Sequence, residues 1–103
     1  MQQNLLMTLD DLRATLASTT PPPALRGALL ALWHDARGYW DMAHRVAQDV
    51  DDASGAWVHA YLHRKEGDES NAAYWYRRAG KPIARGSLDE EWTGIAAALL
   101  DNG

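Results

Sequence analysis

The sequence predicts an all-α protein of five or six short antiparallel helices, arranged as stacked helical hairpins with a C-terminal capping helix. Apolar residues recur at spacings of three and four, which is typical of one helix face. Prolines and glycines divide the chain into segments of about ten to fifteen residues, and the short connections favour antiparallel neighbours. Val, Ile and Thr form no alternating runs and Phe is absent, so no segment has the pattern of a strand. One domain over residues 1–103 is expected, because this length suffices for a single core.

The first helix is predicted over residues 8–18. Thr8 is a suitable N-cap, and Asp11 lies three residues further on, where its carboxylate can complete a capping box. The triplet Pro21-Pro22-Pro23 ends this helix, because proline cannot continue it. The apolar face consists of Leu9, Leu12 and Leu16.

Residues 23–50 are predicted to form the first hairpin. Its first helix begins near Pro23 and ends at Gly38, because proline suits a first helical turn and glycine suits a helix C-terminus. Its second helix covers residues 41–50 and is followed by an acidic turn that supplies the next N-cap.

Residues 56–79 are predicted to form the second hairpin. A break at Gly67-Asp68 separates its two helices, and Ser70 or Asp68 caps the second one, which ends before Gly80. The C-terminal helix, 88–101, opens with the capping-box pattern Ser87-x-x-Glu90. Its apolar face is formed by Trp92, Ile95, Ala96, Leu99 and Leu100.

A shift of 29 residues superimposes the first hairpin on the second. The shift aligns Gly38 with Gly67, Ala31 with Ala60, His34 with His63 and Ala43 with Ala72. Glycine permits a tight turn, and alanines in the middle of a helix let two backbones approach each other where they cross. Each repeated unit is therefore expected to be one helical hairpin.

The second unit carries Ala60, Gly67-Asp68, Ala72, Tyr76 and Ala79, with Pro82 nearby. Through these residues the stretch 56–82 resembles the tetratricopeptide repeat, whereas the stretch 28–50 matches only through Ala31, Gly38 and Ala43. The resemblance implies that the first helix of each hairpin lines a peptide-binding groove and that 88–100 caps the array. More loosely, Trp40-Asp41-x-Ala43-His44 and the stretch 59–76 resemble small uncharacterised bacterial all-α proteins.

The charge balance argues against nucleic acid and membranes as partners. Ten Lys and Arg against 14 Asp and Glu give a net charge of -4, which disfavours phosphate-rich surfaces. No apolar run approaches the ~18 residues that a membrane span needs. Cysteine is absent, which fits a reducing compartment, and Met1-Gln2-Gln3-Asn4 lacks the charged start of a secretory signal. A cytoplasmic location is therefore expected.

Basic residues concentrate between positions 64 and 85. Six basic and three acidic residues give this segment a charge of +3, and the remaining four basic and eleven acidic residues give -7. Arg77 and Arg78 lie at helical spacing from Tyr74, where guanidinium groups can stack on a ring or hold a carboxylate. With the resemblance, Trp57, Tyr61 and Arg64 become candidate groove residues; the alternative is that the first or the last helix covers this stripe and closes the groove. The leading hypothesis is therefore a scaffold or adaptor module that binds an acidic protein or peptide; the alternative is a solvated helix end.

The histidines indicate a different function. His59, His63 and Glu66 recur at spacings of four and three, which places them on one helix face. Two imidazoles and a carboxylate are a known ligand set for zinc or another divalent metal, with His34 or His44 as a further ligand from a neighbouring hairpin. Such a pocket could also bind a small anionic ligand or belong to an enzyme. The alternative is a set of hydrogen-bonded core histidines.

The sequence favours binding over catalysis. Ala60 occupies the place of the glutamate in a zinc-protease helix, and no serine lies in a Gly-x-Ser-x-Gly turn. No catalytic residue is therefore assigned, and no cofactor is expected apart from the metal alternative. A homo-oligomer that pairs through exposed aromatic residues is a third hypothesis.

Overall fold

The computed structural model of the chain describes residues 7–102 and confirms the all-α class. In this part of the chain there are no strands, and a short 3-10 helix, Thr15–Ala17, follows the first α-helix. The α-helices are α1 (Leu9–Ala14), α2 (Gly27–Ala36), α3 (Trp40–Gln48), α4 (Ala53–Lys65), α5 (Glu69–Ala79) and α6 (Leu88–Asn102). The tetrapeptide 1–4, on which the location was partly argued, lies outside the described residues. None of the helices in residues 7–102 has both the length and the apolar character needed to cross a bilayer.

Local capping interactions fix the starts of α1, α5 and α6 as the sequence predicts, whereas α1 ends at Ala14 and only a 3-10 turn continues towards the predicted end at Ser18. The capping box of α1 is confirmed, because Asp11 N–H donates to Thr8 Oγ1 at 3.1 Å and Thr8 N–H donates to Asp11 Oδ2 at 3.0 Å. The same reciprocal pair joins Ser87 and Glu90 before α6, at 3.0 Å in both directions. Of the two candidate caps for α5, Asp68 is the one used, and its Oδ1 accepts from Asn71 N–H at 3.3 Å.

The start of α2 differs from the prediction. The helix begins at Gly27 rather than at Pro23, because the backbone first makes a turn in which Leu25 N–H donates to the Pro22 carbonyl at 3.0 Å. Gly27 then has φ +63°, a left-handed conformation that interrupts any helix continuing from Pro23. Helix α4, in contrast, begins three residues earlier than predicted, because Asp52 caps it by accepting from Gly55 N–H at 3.0 Å.

The 29-residue repeat is visible in the turns after α2 and α4. Gly38 and Gly67 both have φ +90°, a conformation that suits glycine. In the first turn Tyr39 N–H donates to the His34 carbonyl at 3.0 Å, and in the second Asp68 N–H donates to the His63 carbonyl at 2.9 Å. Helix α2 packs on α3 and helix α4 packs on α5, with α3 against α4 between the pairs. The resemblance to the tetratricopeptide repeat stays a prediction.

Helix α6 lies across α2 and α4 and completes the core. Its residues Trp92, Ile95 and Ala96 are buried, and the indole N–H of Trp92 donates to the Leu32 carbonyl at 3.0 Å. A second, smaller cluster lies at the crossing of α4 and α5, where Ala60 and Ala72 are buried beside Tyr76. The alanines of the repeat therefore lie at helix contacts, as their small size predicts.

Candidate functional site: a three-histidine cluster

Three histidines from two helices converge between α3, α4 and α5. His44 lies on α3, and His59 and His63 lie on α4. The ring centroid of His44 lies 4.6 Å from that of His59 and 5.1 Å from that of His63. The centroids of His59 and His63 are 4.8 Å apart. One ring nitrogen of each histidine lies within 4.8 Å of a nitrogen of the other two. These residues therefore form a compact triangle of imidazoles.

The helical spacing of α4 explains one side of this triangle. His59 and His63 are four residues apart, so their rings lie one turn apart on the same face and stack at an interplanar angle of 22°. The packing of α3 on α4 supplies the third ring, and His44 Nε2 lies 3.0 Å from His59 Nε2, a hydrogen-bond distance. Tertiary packing is therefore needed to complete the cluster.

Two tryptophans cover the cluster. Trp40 stacks on His44 with ring centroids 4.9 Å apart and an interplanar angle of 11°, and Trp75 stacks on His59 at 3.9 Å and 16°. His59 and His63 are accordingly only 5% and 7% exposed. The indole N–H of Trp40 donates to the Leu62 carbonyl at 2.8 Å, which holds this ring in place. The aromatic rings therefore keep bulk water away from two of the three histidines.

Glu66 orients His63 rather than joining the triangle. Its Oε2 lies 2.7 Å from His63 Nδ1. A carboxylate accepts hydrogen bonds, so Nδ1 carries a proton, and the neutral tautomer with this proton has its lone pair on Nε2. The sequence predicts Glu66 as a ligand together with His59 and His63. In the structure His44, not Glu66, is the third member of the cluster with these two histidines.

His34, the alternative further ligand, belongs to a different environment. Its ring meets Trp33 edge-on at 5.2 Å on α2. Burial lowers its pKa, and the neighbouring Arg37 lowers it further. A cation beside a histidine disfavours a second cation, so the surroundings of His34 do not suit a metal.

Asp68 lies near the cluster but serves the backbone. One of its carboxylate oxygens lies within 4.8 Å of ligand atoms of His63 and Glu66. That carboxylate caps α5 and also accepts from Asn71 Nδ2 at 3.0 Å. The lowered pKa of Asp68 has the same cause, the hydrogen bonds from Asn71. A helix cap therefore accounts for Asp68 without a metal.

The surroundings of His59 and His44 favour the neutral form of these two rings. Burial lowers the pKa of His59 to about 4, and the neighbouring His44 and His63 add to this effect. The pKa of His44 is lowered by burial and by His63, while Glu66 and Asp41 act in the opposite direction. A neutral imidazole has a free lone pair on one nitrogen, which is the form that binds metals.

The predicted groove of Trp57, Tyr61 and Arg64 is not an open surface. Tyr61 is 3% exposed, and its hydroxyl donates to Asp35 Oδ2 at 3.0 Å, within the core that α6 completes. Arg64 Nη1 donates to Glu91 Oε1 of α6 at 2.8 Å. Trp57 is half-buried, and the ammonium group of Lys81 lies 4.2 Å from its ring centroid. Helix α6 and the segment before it therefore occupy the place expected for a peptide.

The predicted basic and aromatic residues of α5 are accessible. Tyr74, Arg77 and Arg78 are exposed. The guanidinium carbon of Arg78 lies 5.9 Å from the Tyr74 ring centroid and 5.2 Å from that of Trp75. Arg78 Nη1 also donates to the Tyr74 hydroxyl at 3.1 Å. These contacts hold the Arg78 guanidinium beside the two aromatic rings of α5.

A cavity of about 270 Å³ lies beside the cluster. His59, Trp75 and Arg78 are among the residues that line it. The remaining lining residues come from the end of α3, the following loop and the start of α4: Ala47, Gln48, Val50, Asp51, Asp52, Ala53, Gly55 and Ala56. Of the three clustered histidines, His59 is the one that borders this cavity.

Sequence reasoning missed the roles of Trp40 and Trp75. Trp40 lies four residues before His44, so the spacing that places both on one face of α3 was a usable signal. Trp75 reaches His59 from α5, and nothing in its local sequence indicates that contact.

A scan against protein-family models and searches of curated proteins and of solved structures find no match to this chain.

Proposed function

We propose that this protein binds a divalent transition metal, with zinc as the preferred ion, through His44, His59 and His63. The observation that carries the proposal is the convergence of one ring nitrogen from each histidine within 4.8 Å of the others. Zn–N bonds of ~2.0–2.1 Å hold the nitrogens of a tetrahedral site ~3.3 Å apart. The 3.0 Å between His44 Nε2 and His59 Nε2 is close to that value, and small rotations of the rings supply the rest.

The hydrogen bonding of His63 supports a metal over a purely structural cluster. Among the described residues, His63 hydrogen-bonds through Nδ1 to Glu66, and its Nε2 has no partner. The side chain is only 9% exposed, and buried polar atoms normally have a partner. A metal ion would use this lone pair, and the carboxylate on Nδ1 is the common support for a metal-binding histidine.

The experiment is a metal titration of chelator-treated protein with variants matched to the cluster. Mass spectrometry should find one zinc per chain, and calorimetry should find that His63→Ala and His44→Ala each weaken zinc binding at least a hundredfold. His34→Ala is the control, because it removes a histidine that lies outside the triangle. Circular dichroism verifies that each variant is folded. Equal weakening by His34→Ala, or no zinc binding by the folded wild-type protein, would show that the proposal is wrong.

A second candidate function is the binding of an acidic peptide, as an adaptor module would do. It is favoured by one observation, the exposed Arg78 guanidinium that lies against Tyr74 and Trp75 with Arg77 beside it. Arginine held in this way pairs with carboxylates at a small loss of side-chain entropy.

A labelled hexaglutamate peptide tests this second candidate. Fluorescence anisotropy at low salt should show binding that the double variant Arg77→Gln/Arg78→Gln weakens about tenfold. Arg45→Gln removes an exposed arginine of α3 and serves as the control. Equal affinities for the wild-type protein and the double variant would remove the charged surface from consideration.

A further inference from the structure

Each histidine of the triangle contacts one side chain that is not a member of it. The three pairs are His44 with Trp40, His59 with Trp75, and His63 with Glu66. Groups in this position orient metal ligands, and their removal commonly weakens metal binding even though no ligand is lost. Trp40 differs from the other two because its indole also donates a hydrogen bond to the helix that carries the other two histidines.

Trp40 links the two helices that supply the ligands. His44 lies on α3, whereas His59 and His63 lie on α4, so the triangle depends on how far apart these helices are. Trp40 is four residues before His44 on α3, and the two rings stack with centroids 4.9 Å apart and an interplanar angle of 11°. Its indole N–H donates to the Leu62 carbonyl of α4 at 2.8 Å. One side chain therefore contacts both the ligand from α3 and the backbone of α4.

The Leu62 carbonyl also belongs to the turn of α4 that holds His63. Leu62 directly precedes His63, and its carbonyl accepts the Glu66 backbone N–H at 3.1 Å as well as the indole of Trp40. A carbonyl oxygen has two lone pairs and can accept both bonds. The carboxylate of Glu66 in turn lies 2.7 Å from His63 Nδ1. The supports of His44 and His63 thus meet at one backbone oxygen.

We infer that Trp40 is a positioning residue for the metal site, acting through His44. The inference rests on the metal binding proposed above. Trp40 holds His44 against α4 before a metal binds, so less freedom is lost when the ion is coordinated. Without the indole bond, His44 keeps its lone pair but is no longer held at its place in the triangle.

Two tryptophan variants test the inference. Trp40→Phe keeps an aromatic ring beside His44 and removes the indole N–H. Trp92→Phe is the matched control, because the buried indole of Trp92 donates to another helix carbonyl, that of Leu32, at 3.0 Å. Calorimetry should find that Trp40→Phe weakens zinc binding about tenfold and that Trp92→Phe leaves it unchanged. Urea unfolding should show that both variants lose stability.

The contrast between zinc affinity and stability separates positioning from a general structural role. Equal zinc affinities for the wild-type protein and Trp40→Phe would overturn the inference and leave the proposed function intact. Equal weakening by Trp40→Phe and Trp92→Phe would also overturn it, because the effect would then follow from lost stability. No zinc binding by the folded wild-type protein would overturn the inference together with the proposed function.

A double variant tests whether Trp40 acts through His44. The ring of His44 is absent in His44→Ala, so adding Trp40→Phe to this variant should cause no further loss of zinc affinity. A further tenfold loss in the double variant would show that Trp40 acts on another part of the site and would overturn the inference.

Hydrogen exchange of the indole groups provides a test in the wild-type protein, which needs no variant to fold. A metal that holds His44 also holds the Trp40 ring stacked on it. By nuclear magnetic resonance, zinc should therefore slow the exchange of the Trp40 indole N–H more than that of Trp92. Slowing by the same factor at both tryptophans would reflect only the stability of the whole protein and would overturn the inference.

Discussion

Acidification of the metal-free protein should destabilise it in a window set by His59. The pKa of this ring is lowered from 6.5 to about 4 in the folded state, first by burial and then by the neighbouring His44 and His63. Above about pH 6.5 the ring is neutral in both states, so its full contribution to stability is present. Between pH 6.5 and about pH 4, His59 is protonated in the unfolded chain but stays neutral in the folded chain. The free energy of unfolding therefore decreases as the pH falls through this interval.

The size of this loss follows from the same interval. Each pH unit corresponds to ~1.4 kcal/mol, so the interval from 6.5 to about 4 sets a loss of up to ~3 kcal/mol from His59. His44 acts in the same direction because its pKa is also lowered, while Glu66 faces the cluster and opposes the effect. A small domain has a free energy of unfolding of ~5–15 kcal/mol, so this loss is a large part of the total.

Urea unfolding at a series of pH values, with a chelator present and tryptophan fluorescence as the signal, measures this effect. The free energy of unfolding should fall steadily between about pH 6.5 and pH 4.5. His59→Phe preserves an aromatic ring against Trp75 and removes the titrating group, so its curve should be flatter over this interval. Equal slopes for the wild-type protein and His59→Phe, or a wild-type stability that is constant over the interval, would refute the reasoning.

The other predictions concern the core, a close backbone contact and the metal. Asp35→Ala should lower the free energy of unfolding by about 3 kcal/mol, because the buried hydroxyl of Tyr61 loses its acceptor. Lys65→Gln removes the ion pair with the same carboxylate and should lower it by less than ~1 kcal/mol, because the Lys65 side chain is 37% exposed. Urea denaturation measures the free energy of unfolding of both variants, and equal losses would contradict the larger role given to the bond between Tyr61 and Asp35. Gly55→Ala should lower the melting temperature by at least ~10 °C, because its Cβ would lie 2.1 Å from the Val50 carbonyl oxygen; calorimetry that finds no change would disprove this contact. Zinc at a hundred times its dissociation constant should raise the free energy of unfolding by ~2.7 kcal/mol, and a chelator should reverse the rise. A rise of the same size in His63→Ala would contradict binding at the triangle.

The parts of the fold that depend on local interactions were predictable from the sequence. Thr8 with Asp11 and Ser87 with Glu90 interact within one turn, so their spacing alone identifies the helix starts. The breaks at Gly38 and Gly67 were also predictable, because a left-handed residue is needed there. The predicted start of α2 was wrong, because the residues that follow the prolines form a separate turn before the helix begins.

The predicted peptide groove shows where local reasoning ends. Trp57, Tyr61 and Arg64 do share a stripe of α4, but their spacing carries no information about what lies against that stripe. Glu91 comes from a helix 27 positions further along the chain and pairs with Arg64. Whether a helix face is a groove or a buried contact is decided by such long-range packing, and only the tertiary structure contains it.

Long-range packing also decides which histidines come together, although one signal in the sequence could have distinguished His34 from His63. The 29-residue shift aligns His34 with His63, and it also aligns Arg37 with Glu66, each three residues after its histidine. In the first unit the arginine lies near the ring and lowers its pKa, whereas in the second the carboxylate bonds to Nδ1. A carboxylate leaves the opposite nitrogen ready to bind a metal, and a guanidinium offers no such support. The difference between Arg37 and Glu66 therefore favours the second unit as the place of the proposed metal site. His44, from the preceding unit, reaches it only because α3 packs on α4, so the triangle lies at the junction between the repeats and is encoded in neither repeat alone.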